Sequence, residues 1–337
     1  MSLPPLPFSF RRRRRGRRPL AVVLSGGGSL GAYEIGVIDT LARRKVVPDL
    51  IVGTSAGAIN GAYWALHAGA DVADTLLETW ESCRSDELLP GGRLGALRSL
   101  LANRPHLYGG RGMARLIARH APADARLEDL PIPMAITVTD AVTGDRVVFR
   151  EGPLQAAVLA SAAIPGVFPP VDVDGRLCID GGVSANCDLE AVVEAGIDQA
   201  IAVVLSDYRP DGPPRNLDEV LSRSVLFSLR RQTELTLDAV TGHLQVALLQ
   251  PTLLHTPPLG DFSKSRELYR LGRAMTEELC DQLLDADGNV RAGIIDGVRE
   301  LPEAPLEPQE PPLPVRRRLT RPDRNGSSPG SVPSSAA

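Results

Sequence analysis

Between Leu20 and Gly57 the sequence leaves little choice of fold. The run "LAVVL", Leu20 to Leu24, is apolar and reads as a short buried strand. "SGGGSLGAYEIG" follows, and from Ala32 to Arg44 the residues Ile35, Ile38 and Leu41 recur at helical spacing. A second short apolar run, Leu50 to Val52, comes next, with "GTSAG" directly behind it. Strand, glycine loop, helix and strand make a β-α-β unit, whose two strands must run parallel because a crossover joins them.

The rest of the chain keeps the alternation. Helices are expected after Ser55, near Val72 to Cys83 and over Arg111 to His120, ahead of strands at Met134 to Thr139 and Arg146 to Phe149. "VDVDGRLCID" alternates in period two around Asp174-Gly175, which predicts a hairpin. A helix from Leu189, a strand over Ala200 to Leu205, a long helix from about Asp218 to Val240, a strand over Leu244 to Leu249 and a last helix from Ser263 to Leu284 complete the series. This order predicts an α/β fold around a mainly parallel sheet.

Composition narrows the class further. Hydrophobic residues make up 43% of the 337, which fits a globular chain. Two uncharged stretches, Leu50 to Leu66 and Gly152 to Val171, have the length of membrane spans. The first contains "GTSAGAING" and the second Pro165, Pro169 and Pro170, so both read as strand, turn and helix inside a protein. Cys83, Cys178, Cys187 and Cys280 form no C-x-x-C pair and are expected as free thiols. No secretory leader is expected, because the apolar run after the arginines is too short for one, and the default is a soluble cytoplasmic protein. The formal charge of −4 conceals "RRRRRGRR", seven arginines from Arg11 to Arg18. Residues 1–18 are expected as a disordered Arg-rich arm, 19–299 as the folded domain and 300–337 as a disordered Pro- and Ser-rich tail. The arm is either a solvated segment or a contact for an anionic membrane; no nucleic-acid partner is expected.

"GTSAG", Gly53 to Gly57, matches the G-x-S-x-G nucleophile elbow in its required setting, between an apolar strand and a helix rich in small residues. Gly53 and Gly57 let neighbouring backbones approach a serine held in a strained turn, and the helix aims the positive end of its dipole at the site. The loop at Gly26, Gly27 and Gly28 also spells G-x-G-x-x-G with Gly31. A dinucleotide site needs an acidic residue at the end of the second strand. That strand ends in Gly53-Thr54-Ser55 and carries Asp49 at its start, so the loop suits the oxyanion of a reacting ester better than a pyrophosphate. A serine nucleophile needs a base. His67 lies too far along the helix behind Ser55, and His106 and His120 are expected to face solvent. His243, His255 and Asp180 of "IDGG" remain, although Asp-Gly is also a common turn pair.

Taken together and in order, "GGGSLGAYEIGV", "GTSAGAING", "ASAAIPGVFPPV" and "DGG" resemble the patatin-like phospholipase family, over about residues 20 to 280. "DFSKSRELYRLG", Asp261 to Gly272, is similar to a segment near the end of bacterial members. The resemblance implies a three-layer α/β/α sandwich and hydrolysis of lipid or phospholipid acyl esters by a Ser-Asp dyad, with no metal or organic cofactor. Carried over, Ser55 is the nucleophile, Asp180 of Asp180-Gly181-Gly182 the base, and Gly26, Gly27 and Gly28 line the oxyanion hole. An aspartate with an ordinary pKa of ~3.9 is a poor base at neutral pH, so burial is expected to raise it. Many members carry Arg or Lys where this chain has Leu30, which counts against an anionic head group and leaves the ester chemistry intact. The competing readings are an α/β-hydrolase in which Ser55, Asp180 and His243 or His255 form a triad, and a catalytically inactive lipid-binding scaffold.

Overall fold

A computed structural model describes residues 17–299, apart from 69–71, 84, 89–94, 96–98, 100, 103, 104, 208, 211 and 254–260. The β-α-β unit forms as the sequence dictates. Strand β1 (Ala21–Leu24) leads through a short 3-10 turn (Gly28–Gly31) into helix α1 (Ala32–Arg43), and β2 (Leu50–Thr54) returns parallel to β1. Every residue of β1 is fully buried. Val22 and Leu24 enter one hydrophobic cluster and Ala21 and Val23 the other, as expected of a strand covered on both faces. Helix α2 (Ala56–His67) follows the elbow, and α3 (Val72–Ser82) and α4 (Arg111–Ala118) extend that layer.

The sheet continues with β3 (Met134–Asp140), β4 (Arg146–Phe149), helix α5 (Leu154–Ser161), β5 (Val171–Val173) and β6 (Arg176–Asp180). Helix α6 (Glu190–Glu194), β7 (Gln199–Val203), helix α7 (Leu217–Val240), β8 (Gln245–Leu253), helix α8 (Ser265–Leu283) and β9 (Gly293–Arg299) follow. The strand order is β5-β6-β3-β2-β1-β7-β8-β9, with β4 also on β3. Pairs among β1, β2, β3, β7, β8 and β9 are parallel, while β4, β5 and β6 pair antiparallel. The mainly parallel sheet with helices on both faces is thus the three-layer α/β arrangement expected. The β5-β6 hairpin turns at Asp174 and Gly175, whose φ of 51° and 84° are the left-handed pair a tight hairpin requires. Cys83, Cys178, Cys187 and Cys280 are all unpaired. Among the described residues no helix is long and apolar enough to cross a membrane.

Two expectations need correction. Arg17 and Arg18 belong to the folded body rather than to the arm: Arg17 Nη2 donates to Asp49 Oδ2 at 2.8 Å, and Arg18 Nη2 to Gln199 Oε1 at 3.1 Å. Arg11 to Arg15 and the tail from 300 lie outside the described residues. Nor do His106 and His120 face solvent. Both are half-buried; His120 Nε2 meets Thr79 Oγ1 at 2.9 Å and its ring lies edge-on to Tyr63.

Helices α1 and α8 cross at glycines. A β-carbon on Gly272 would overlap the Tyr33 carbonyl and one on Gly36 would overlap the Tyr269 carbonyl, so the backbones touch there. Around the crossing, buried Asp39 accepts from Arg43 and from Tyr269 Oη, each at 2.8 Å, and pairs with Arg273 at 3.2 Å. Gly272, the last residue of "DFSKSRELYRLG", thus serves the packing of α8 on α1.

Candidate active site

Ser55 sits where β2 ends and α2 begins, with φ 53° and ψ −118°. A serine in that region is strained and persists only where its surroundings fix it. The two flanking glycines show what fixes it: a β-carbon on Gly57 would overlap the Leu24 carbonyl, and one on Gly53 would lie 2.7 Å from the Gly57 carbonyl oxygen. Close approach of β1 to α2 thus requires glycine at position 57, and the tight fold of α2 back onto β2 requires it at position 53. The Ser55 N–H is held by Ser161 Oγ at 2.9 Å, and Ser161 in turn donates to the Thr137 carbonyl at 2.7 Å.

Asp180 ends β6, level with Val138 of the neighbouring β3. Gly181 then turns the chain sharply over Thr137, where a β-carbon would overlap the carbonyl oxygen. The result aims the Asp180 carboxylate at the elbow: Ser55 Oγ donates to Oδ2 at 2.7 Å, and Gly182 N–H donates to Oδ1 at 2.8 Å. Both side chains are buried, each residue being 6% exposed. Burial raises the Asp180 carboxyl to a pKa of about 6, against the opposing hydrogen bonds from Ser55 and Gly182. Desolvation thus brings this carboxylate into the range of a base that works near neutral pH.

The glycine loop lies against the same serine. A β-carbon on Gly26 would come within 3.1 Å of Ser55 Cβ and within 2.5 Å of Asn186 Oδ1, and one on Gly27 would meet Leu205 at 2.8 Å. Gly28 adopts φ 57°, a conformation natural to glycine. The Gly26 N–H donates to the Asn186 carbonyl at 3.3 Å, and Asn186 Nδ2 donates back to the Gly26 carbonyl at 3.2 Å. Leu30, next in the loop, is 4% exposed and packs into the core, so it is no part of an open head-group surface.

Ser55, Asp180, Gly181, Gly182 and the loop Gly26 to Gly28 therefore meet at one end of the parallel strands. His243 does not join them. It is exposed two residues before Gln245, whose register through Gln199 and Ala200 to Ala21 and Leu50 puts it where the parallel strands start; Ser55 lies where they finish. His255 is outside the described residues. Sequence reasoning missed Ser161, Asn186 and Gln232. Gln232 Nε2 on α7 donates to the Val183 carbonyl at 2.8 Å, and its Oε1 accepts from Asn186 N–H at 3.3 Å. Ser161 lies within "ASAAIPGVFPPV", but nothing local marks it as the partner of a backbone amide 106 residues away.

The chain is similar to several known proteins. An uncharacterized NTE family protein of Mycobacterium bovis is 31% identical over 239 residues, covering 69% of this chain and 62% of that protein. A patatin-like phospholipase domain-containing protein of Caenorhabditis elegans is 28% identical over 83% of this chain and 22% of its own length. The crystal structure of VipD from Legionella pneumophila aligns at TM-score 0.38 and 14% identity over 78% of this chain and 67% of that one. The chain thus spans 62% of the length of its mycobacterial relative. Residues 22–193, which hold the glycine loop, the elbow serine and the Asp-Gly-Gly turn, match the patatin-like phospholipase pattern, and the chain belongs to that family.

Proposed function

We propose that this chain is a serine acyl-ester hydrolase of the lipase or phospholipase A type, which cleaves fatty-acyl esters of lipids through a Ser55-Asp180 dyad. The observation that carries the reading is the 2.7 Å hydrogen bond from Ser55 Oγ to a buried carboxylate at a strained elbow. In the proposed reaction, Asp180 takes the proton of Ser55 Oγ as the oxygen attacks the ester carbonyl. Because Gly26 N–H is given to Asn186, the developing oxyanion falls to the amides of Gly27 and Gly28, with each such donor typically contributing ~2.7 to 4 kcal/mol. The alcohol leaves with the proton held by Asp180, and an acyl-enzyme remains. Water, deprotonated by the same carboxylate, then releases the fatty acid. Contact with an anionic membrane would fall to Arg11 to Arg15, since Arg17 and Arg18 are already engaged.

A fluorophosphonate is the direct test. It reacts quickly only with a serine that has a base and an oxyanion site, so Ser55 is expected to be the labelled residue by peptide mass spectrometry. Labelling that persists in Ser55→Ala would overturn the assignment, and an unlabelled wild-type protein would favour the scaffold reading.

A further inference from the structure

The glycine loop is clasped by an asparagine at each end. Asn186 holds Gly26 at its start. At its finish the Gly31 carbonyl accepts from Asn60 Nδ2 at 2.9 Å, and Asn60 lies on α2, five residues past the nucleophile. Between the two clasps stand Gly27 and Gly28, whose amides receive the oxyanion in the proposed reaction. The second clasp also sits where loop and elbow touch: a β-carbon on Gly31 would come within 3.0 Å of Ala56 Cβ, next to Ser55, and within 2.5 Å of the Trp80 ring.

The Asn60 amide is held in one orientation by groups that cannot exchange roles. Trp80 Nε1 can only donate, and it donates to Asn60 Oδ1 at 2.9 Å. The Gly31 carbonyl can only accept, so it takes one hydrogen of Nδ2, and the other goes to Glu34 Oε2 at 2.9 Å. Glu34 belongs to the first turn of α1, three residues beyond Gly31. Glu34 and Asn60 are both wholly buried. Burial pushes the Glu34 carboxyl well above the usual carboxylate range, against the Asn60 bond and the Ser25 N–H, which favour the charge. Its Oε1 has no hydrogen-bond partner among the described residues. A buried carboxyl so sparsely paired is favoured as the neutral acid, whose carbonyl oxygen can accept from Asn60 without a charge.

We infer that Glu34 is a positioning residue: it orients Asn60, which holds the far end of the glycine loop against the helix of the nucleophile and so keeps the Gly27 and Gly28 amides aimed at the oxyanion. The inference rests on the hydrolase reading. Without an acceptor at position 34, one hydrogen of Asn60 Nδ2 is buried unpaired, and the amide gains by turning away from Gly31. The loop then loses its tie to α2. Oxyanion donors act in the transition state more than on bound substrate, so a displaced loop lowers kcat and leaves KM nearly unchanged.

The test is kcat and KM on p-nitrophenyl butyrate, with kcat expressed per active site titrated to its end point by fluorophosphonate. That scaling removes any unfolded fraction, which is all that a merely structural residue would change. Glu34→Leu is expected to lower kcat per site about tenfold or more with KM within about twofold, since small misplacements of catalytic groups cost up to about 10²-fold. Glu34→Gln presents the same carbonyl oxygen to Asn60, with NH2 where the acid carries its hydroxyl, and should recover most of the loss. Trp80→Phe frees Asn60 Oδ1 and should move kcat the same way; it decides the matter should Glu34→Leu not fold. Three results would each overturn the inference: kcat per site unchanged in the folded variants, a loss confined to KM or to the number of titrated sites, or a Glu34→Gln protein as slow as Glu34→Leu. Failure of the hydrolase reading looks different, because then the wild-type protein turns over no ester and its Ser55 stays unlabelled.

Discussion

Replacing Asp180 with Asn is expected to lower kcat/KM on p-nitrophenyl butyrate by about 10²-fold or more, the scale of general-base loss. The amide fits the same space, since its oxygen can accept from Gly182 N–H and its NH2 can donate to Ser55 Oγ, so the loss concerns the proton and not the shape. His243→Ala should keep most activity, because His243 is exposed at the opposite end of the parallel strands. His255→Ala should do the same; a near-dead but folded His255→Ala would move the chemistry to a triad and overturn the dyad. The pH profile gives a second check. With the carboxyl at about 6, the base is ionised above that pH, so wild-type activity should fall on an acidic limb centred near it, and the limb should vanish in Asp180→Asn.

Stability should move the opposite way. The folded-state pKa of Asp180 is raised from 3.8 to about 6, so the folded protein holds the proton more tightly than the unfolded chain does. Above pH 6 the buried charge therefore costs stability, and the cost fades as pH falls from about 6 toward 3.8. At pH 8 the Asp180→Asn protein is expected to melt above wild type, by up to about 3 kcal/mol at 1.36 kcal/mol per pKa unit, and the gap should close at low pH. A variant that is dead and less stable at pH 8 would mean that Asp180 is chiefly structural.

Gly272→Ala is expected to cost several kcal/mol, on the order of 3 or more, because the added methyl must displace backbone and not a side-chain tip. The atoms in its way are the Tyr33 carbonyl and Gly36 Cα, the latter at 3.4 Å. Gly36→Ala should be comparably severe, since it meets the Tyr269 carbonyl and the Arg273 amide. Separation of α1 from α8 would also loosen the Asp39 contacts to Tyr269 and Arg273. Gly109→Ala, with nothing within 4 Å of the added carbon, supplies the control. Thermal melts of the three proteins decide the matter: a Gly272→Ala that melts beside Gly109→Ala would show that the helices are free to separate.

Much of this architecture is legible in the chain because its signals are local. Strand β1, the glycine loop and α1 follow from period and turn chemistry within about thirty residues, and G-x-S-x-G is intelligible once Gly57 is seen to face the Leu24 carbonyl. The Asp174-Gly175 hairpin is equally local. What stays hidden depends on distant partners. Asn186 clasps Gly26 across 160 residues, and Gln232 reaches the Asp-Gly-Gly turn from a helix whose own pattern concerns only its periodicity. Strand β9, "GIIDGVR", is interrupted by Asp296 and Gly297 and gains its identity from pairing with β8. Arg17 and Arg18 look like the rest of the arginine run until Asp49 and Gln199 are brought beneath them.

The crossing of α1 and α8 also bears on how the protein is made. Tyr33 meets Met275 across 242 positions of sequence, so the layer that covers the first β-α-β unit is closed by a helix made long after it. At the usual 5 to 20 residues per second of synthesis, α1 must wait on the order of tens of seconds for that cover. During this interval its apolar face is open to solvent and to chaperones. Nascent chains halted before α8 should therefore carry the elbow sequence without a finished helix layer behind it, so the layer behind the candidate active site is completed only after α8 has been made.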